Sequence, residues 1–530
     1  MNLLEKVSIV VTPTGYKAGT LYGAIPSNGD ADMDVTRATA STRVDENGLV
    51  KYAVGDELVT DGDFPLPNTA WSLGSGWTIS DGKAHCDITS SVAFTQPITL
   101  VIDSIYFIEF TISNLVVGGF QIQFAGDVIG SGSANGTFSF LKTATNVNET
   151  LYCYGLNTSE FSVTNISVKE VTNVPRIDYT GGGCPHVLLE PQSTNQVTYS
   201  EDFSQGYWTK SKASIVSNAT TSPDGTVNAS KLVENTQTGN HYTLINPVYT
   251  TSSINNVITL SAFAKKDVRD INLESYASGG GENPKVNFDL TNGTASLVSG
   301  TATFSIESFD EDWYRCSITY TVSQSSSDVQ MYLFLLNGDN TSYTGDGTSG
   351  VYIWGAQFEV LSYATSIIPT DGSTVTRNQD LLTRDSISSL LGQTEGTVFL
   401  QVGQIYNNGS TSPTKWFFEV IKDANNSFGI SSGGANEAVT LRFVTFIGGV
   451  ASTDAEPGGF SNSKIAIKYN ASEFKLFQNG VLEATISKNI GGYNEVEFMG
   501  GGADDLMMEL KQFMAFDTVL TDAELVILTS

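Results

Sequence analysis

Histidine is nearly missing from this chain: 530 residues hold only His85, His186 and His241. So few imidazoles leave little for proton transfer at neutral pH or for histidine-ligated zinc. Cysteine is as scarce. Cys86, Cys153, Cys184 and Cys316 lie in unrelated contexts without a Cys-x-x-Cys pair, which excludes a zinc ribbon and a dithiol redox motif. Cys86 and Cys153 fall within one domain and leave two readings open, a disulfide or two separate core thiols. Positive charge is also short, with 27 Lys and Arg against 56 Asp and Glu and a formal charge of −29. That field repels a phosphate backbone, so nucleic acid is excluded as a partner. A polybasic membrane-surface role is excluded on the same ground. Long apolar runs are missing too: the closest, residues 100–120, is broken by Asp103 and Glu109 and falls short of the ~18 residues of a spanning helix. The opening Met1–Lys6 has no basic stretch leading into an apolar one, so no export signal is expected.

What is present favours strands. Apolar residues make up 40% of the chain, enough for several modest cores, and only 16% is charged, against about 25% in an ordinary globular protein. Ser, Thr, Asn and 51 glycines fill the difference, a composition of strands and turns rather than helices. At roughly 150 residues per domain the length suggests three to four domains.

Residues 1–55 are too short in apolar length for a core. They contain one strand, Val7–Thr12, and read as a docking segment that meets a partner or packs on the next domain. Residues 56–172 carry alternating strands at Tyr106–Ile112 and Phe120–Phe124, a further strand at Ile98–Ile102 and a closing strand at Phe161–Val168, the pattern of a β-sandwich. Residues 173–197 are a Gly- and Pro-rich linker. Residues 198–376 repeat the plan, with strands at Val257–Leu260, Val286–Leu290, Tyr314–Tyr320, Val329–Leu335 and Val351–Val360. Residues 377–530 form a third sandwich. Asn479-Gly480 marks a hairpin there, and Thr521 with Glu524 marks a capping box that opens a terminal helix.

Most motifs that suggest chemistry have a plainer reading. Gly345-Asp-Gly347-Thr-Ser-Gly350 matches a dinucleotide-binding pattern, but strand-like residues follow it where a helix is required. Gly429-Ile-Ser431-Ser-Gly433 matches a nucleophile elbow, yet every histidine lies upstream, whereas that mechanism places its base downstream. Glu495 and Glu497 share a strand face, as catalytic carboxylates do, but Met499 and Gly500 follow where a third acid is needed. Glu307, Asp310, Glu311 and Asp312 read as a solvated acidic run. Trp71, Trp77, Tyr207 and Trp208 are the candidate carbohydrate-binding residues, since aromatic rings stack on the apolar faces of sugars. Trp313 and Trp354 read as core. No catalytic residue is assigned.

Several segments resemble known families. Asp61-Gly-Asp-Phe64, Gly76–Gly82 and Val163–Val168 look like a carbohydrate-binding-module jelly roll. Tyr199–Phe203, Trp208–Lys210, Ser222–Gly225, Asp312-Trp-Tyr-Arg-Cys316 and Tyr343–Gln357 are similar to modules of bacteriophage tail-fibre and head-spike-fibre proteins. Residues 395–530, closing with Phe513–Phe516 and Leu520–Leu525, resemble a concanavalin A-type, laminin-G-like lectin sandwich. The expected fold is therefore all-β: tandem jelly-roll β-sandwiches followed by a concanavalin A-like sandwich. The resemblance implies a non-enzymatic virion appendage that adheres to host or environmental glycans, with a homotrimeric assembly docked to other virion proteins through the N-terminal segment. A purely structural decoration and a polysaccharide-degrading enzyme with binding modules are the alternatives. The resemblance also implies a structural calcium joining the first strand to the last. Asp61 and Asp63 stand at one end, and Asn165 takes the place of an acidic partner.

Overall fold

Alternation of apolar and polar side chains places the strands, and the computed structural model is all-β. It describes residues 3–530 except 254, 279–281, 310–311, 408–414, 433–440, 489 and 501–505. The α-helix among the described residues is Asp522–Thr529, opened by the expected box: Glu524 N donates to Thr521 Oγ1 at 3.2 Å and Thr521 N to Glu524 Oε2 at 2.8 Å. The Asn479-Gly480 hairpin is also present, with φ of 48° and 81°, the doubly left-handed turn that matches strand twist.

The first unit is a seven-stranded sheet folded over one core. The strands expected at Tyr106–Ile112 and Phe120–Phe124 are one strand, Ile105–Phe124. Both ends bury their even-numbered side chains, while the middle is exposed. Positive φ at Asn114 and Gly118 lets the backbone turn there. A Cβ on Gly118 would lie 2.1 Å from Ser159 Oγ, on the partner strand Asn148–Glu170. The strand expected at Ile98–Ile102 lies earlier, at Val92–Thr99, because a turn through Asp103 takes the residues that follow. Cys86 and Cys153 are separate buried thiols, and burial pushes Cys86 up to about 12.

The second unit is a sandwich of two six-stranded sheets over its own core. One runs Thr209–Ser211, Tyr242–Thr250, Asp328–Leu336, Asp270–Ala277, Lys285–Asp289 and Thr294–Ser299. The other runs Ala213–Thr220, Ala229–Glu234, Gly350–Glu359, Asn256–Lys266, Trp313–Val322 and Thr303–Phe309.

The opening segment corrects the sequence reading. It is not a free docking arm. Strand Ile9–Lys17 pairs with Leu506–Phe516, matching Val10 to Met514, and Met33–Thr36 pairs with Leu381–Arg384. Ile9 and Val11 join the core of the third unit at 1% and 2% exposure. The segment lacks apolar length for a core because it completes someone else's: its strands fill a gap in a sheet whose other members come from residues 381–516 and from the linker. The linker strand His186–Leu189 adds to the same Leu506–Phe516 edge.

A buried ionic cluster fastens these pieces. Arg37 Nη1 lies 2.6 Å from Asp380 Oδ1, Arg176 bridges Asp380 and Glu190, and Arg377 Nη1 lies 2.7 Å from Glu190 Oε2. Every one of these side chains is at most 2% exposed. Further hydrogen bonds tie the cluster to the backbone: Arg37 reaches Val174 O at 3.0 Å, Arg377 reaches Pro191 O at 2.8 Å, and Ser366 N donates to Glu190 at 2.7 Å. Leader, linker and the connector from the second unit into the third, residues 361–380, thus meet at one point. Burial alone would raise Glu190, but Arg377 and Arg176 outweigh it and hold the carboxyl at about 2.

Asp380→Asn is expected to lower stability by about 3–5 kcal/mol, because it strands two buried guanidinium groups. A melting temperature equal to that of the unaltered chain would disprove the role given to the cluster. Since Glu190 sits below its ordinary 4.5, its contribution is complete above that pH and is lost as the pH falls toward 2. Acid titration of the melting temperature reads this directly, and a Glu190→Gln chain is expected to lack that component.

Candidate functional site

Period-2 alternation builds one unusual surface on the second unit. Cross-strand pairing aligns Thr303 with Thr319 and Thr259, Ser305 with Ser317 and Ser261, and Glu307 with Arg315 and Phe263. Side chains of one row face the same way, so this sheet presents a ladder of hydroxyls outward. Thr259 and Thr319 lie 2.7 Å apart through their Oγ1 atoms, and Ser305 and Ser317 are 2.7 Å apart as well.

The ladder does not face open solvent. It forms one wall of a cleft of about 590 Å³ whose other walls come from the leader and linker, including Thr42–Val44 and His186, and from the third unit, including Tyr406, Asn462 and Lys511. Tyr363, from the connector, packs on Tyr406 with ring centroids 5.0 Å apart and planes at 30°. Tyr406 remains 38% exposed at the cleft. Its hydroxyl is raised above the ordinary tyrosine value by burial and then by Glu307 and Glu509. His186 Nε2 stands 3.5 Å from Asp178 Oδ1 and 3.9 Å from Glu509 Oε1. Asp178 also accepts Val44 N at 2.8 Å and Thr180 N at 2.7 Å, which holds the two arms of the wall together. Chemically the cleft offers hydroxyl and amide partners along a floor, with an aromatic face at one side. That combination fits a polyhydroxylated ligand.

The candidate residues from the sequence are not in this cleft, and the aromatic platform is overturned. Trp71, Trp77 and Trp208 are 6%, 4% and 1% exposed. Each indole N–H is satisfied internally, by Asp61 O at 3.0 Å, Val92 O at 3.1 Å and Tyr199 O at 2.9 Å. Tyr207 is half-buried against Trp208 and Tyr199. Large aromatic side chains close the ends of these sandwiches, where their area is worth more inside than as a platform. Trp313 and Trp354 are core, each 1% exposed.

Asp61 and Asp63 belong to a tight turn, Gly62 O accepting from Ile166 N at 3.0 Å beside Asn165. Among the described residues no group of three His, Cys, Asp or Glu side chains gathers there or elsewhere to hold a metal ion. The turn and the closing strand do meet, through Ile166 N and Gly62 O.

The hydrolase motifs divide. Ser431 is fully buried and its hydroxyl has no partner among the described residues; Gly433 lies outside the described residues, as do Asp310 and Glu311. His85 is bound to Ser162 and Ser80, and His241 to Lys212 O and Tyr343 O. Asp346 caps its turn through Thr348 N and Ser349 N, and strand Gly350–Glu359 follows, so the glycine motif opens no helix. Glu495 and Glu497 share a face as expected. The acid that sequence spacing lacked comes from the neighbouring strand: Glu419 stands opposite Glu497 and is raised to about 7 by burial and by the two glutamates. Neither of the two cavities described is lined by these three residues.

No protein-family model matches the chain, and no curated protein matches it in sequence. Among solved structures it is similar to the N-terminal CBM22-1–CBM22-2 tandem domain of Xyn10C from Paenibacillus barcinonensis, at 13% identity and a TM-score of 0.21. The match covers 58% of this chain and 98% of that one.

The burial of the tryptophans has a direct test. Trp77→Ala is expected to destabilise the chain by about 3–5 kcal/mol, the cost of emptying a packed aromatic site. Unchanged stability together with lost sugar binding would restore the platform reading.

Proposed function

We propose that this chain is a non-enzymatic glycan-binding appendage on a virion surface, a tail fibre or head fibre. The observation that carries the binding role is the cleft: a hydroxyl ladder from Thr303–Phe309 and Trp313–Val322 facing the stacked Tyr363 and Tyr406. Aromatic faces take the C–H side of a sugar ring, and short polar side chains exchange hydrogen bonds with its hydroxyls. The virion setting is supported by the resemblance of the second unit to phage-fibre modules, and by an acidic surface that keeps a crowded assembly soluble. The third unit serves in this reading as a lectin-like wall of the cleft. A single cleft binds weakly because ordering costs offset most of the gain, so a trimer with three clefts at fixed spacing supplies avidity.

A glycan panel titrated against the full chain is expected to contain binders whose affinity falls roughly five- to tenfold in Tyr406→Ala, the worth of one aromatic contact. No retained glycan, or binding indifferent to Tyr406, would reject the reading. Release of reducing sugar from the same panel, abolished in Glu497→Gln, would instead favour the carboxylates around Glu419 as an active centre. Light scattering is expected to give three times the 56.7 kDa chain mass, and a stable monomer would reject the trimer.

A further inference from the structure

The chain has eight arginines. Six of them stand within 4 Å of a carboxylate. Arg43 and Arg315 do not pair with one among the described residues, and both line the cleft. Arg315 is the sharper anomaly, being only 7% exposed. A guanidinium removed from water is costly unless it is paired and hydrogen-bonded. Arg315 Nη2 reaches Ser261 Oγ at 3.2 Å, its guanidinium lies over the Phe263 ring at 5.6 Å, and Nε has no partner among the described residues. Arg43 Nη1 donates to Ile177 O at 2.8 Å, and its Nε is likewise unpaired. Two incompletely satisfied guanidinium groups, from different units, border one cavity otherwise built of hydroxyls and a tyrosine pair.

We infer that the cleft selects acidic sugars, a glycan of the uronic-acid class whose ring carboxylate is held by Arg315 with Arg43 in support. The inference rests on the reading of the cleft as a glycan site and adds the charge of its ligand. Guanidinium and carboxylate match as planar forks, and such charge-assisted bonds are about twice as strong as neutral ones. Phe263 beneath the guanidinium fixes its plane, so little ordering remains to be done on binding. The chain's net charge of −29 opposes an anion at long range, but screening confines that effect to about 8 Å at physiological salt. Within the cleft the nearby acids are committed elsewhere: Glu190 to Arg176 and Arg377, Asp178 to Val44 N and Thr180 N, and Glu509 to Gln404 N at 2.9 Å, with His186 at 3.9 Å. Glu307 is the exception. It stands opposite Arg315 in the strand register, exposed and without an ion-pair partner among the described residues, and it weakens the field at the site.

The test compares tri-galacturonate with its fully methyl-esterified form, by calorimetry on the full chain. The two probes share their sugar rings and differ in the ring substituent, a charged carboxylate in one and its neutral methyl ester in the other. The acid is expected to bind about tenfold or more tightly than the ester, the worth of one charge-assisted pair. Arg315→Gln is expected to bring the ratio close to one by weakening the acid far more than the ester, and Arg315→Lys to restore part of it. Glu307→Gln, at an exposed position, is expected to raise acid affinity severalfold without changing the ester, and this arm stands if Arg315→Gln fails to fold. Equal binding of acid and ester overturns the inference and leaves the glycan reading intact. Refusal of both probes while neutral glycans bind through Tyr406 does the same. Refusal of both probes and of every neutral glycan overturns the two together.

Discussion

Three arginines and two carboxylates, shut away from water, hold this molecule's parts in register. Arg37 comes from the opening segment, Arg176 and Glu190 from the linker, and Arg377 and Asp380 from the connector into the third unit. Glu359 adds a third carboxylate, reached through the Thr365 hydroxyl that Arg377 also meets. None of these segments has a core of its own. Each carries a charge that cannot stay buried unless the other two arrive. A buried cluster of this kind adds little stability over an apolar replacement, but it penalises every arrangement that leaves a member alone. Its effect here is on which arrangement forms: the leader enters the third unit's sheet, the linker strand joins the same edge, and the second unit is brought against both.

The cleft is a by-product of that meeting. Its floor belongs to the second unit, one wall to leader and linker, the other to the third unit. A site assembled this way depends on relative placement more than on any single fold. Sandwich faces are usually flat, and a flat row of threonines and serines holds a sugar poorly. Covering the row on two sides converts it into a cavity with an aromatic flank, where desolvation strengthens each polar contact. The same closure explains the two unpaired guanidinium groups. Arg315 lies at the cleft wall with only Ser261 and the Phe263 ring of its own unit against its guanidinium, and no carboxylate among the described residues.

Much of the fold was legible from local pattern, because strands, hairpins and helix caps are decided within a few residues. Asn479-Gly480 and the Thr521/Glu524 box needed no tertiary information, and the alternation of Phe120–Phe124 marked its buried face. What exceeded local reach was partnership. Nothing in Ile9–Lys17 says that it pairs with a strand some five hundred residues later, and no spacing rule finds Glu419 beside Glu497 across a sheet. The candidate site failed for a related reason. Trp71, Trp77 and Trp208 have the right chemistry for sugars, but residue type does not reveal exposure, and large aromatic groups fill sandwich ends. The residues that line the cleft, Arg43, Arg315, Tyr363 and Tyr406, are scattered singly along the chain. Only the Asp312–Cys316 string had drawn attention to one of them.

The central claim is that the buried cluster makes leader, linker and connector one cooperative unit. Hydrogen exchange separates this from three independent attachments. In the unaltered chain, amides of Met33–Thr36, His186–Leu189 and Leu381–Arg384 are expected to share one level of protection. In Asp380→Asn, protection at all three is expected to fall together, while the second unit's Gly350–Glu359 keeps its own. Loss confined to Leu381–Arg384, with the leader and linker strands as protected as before, would contradict the account.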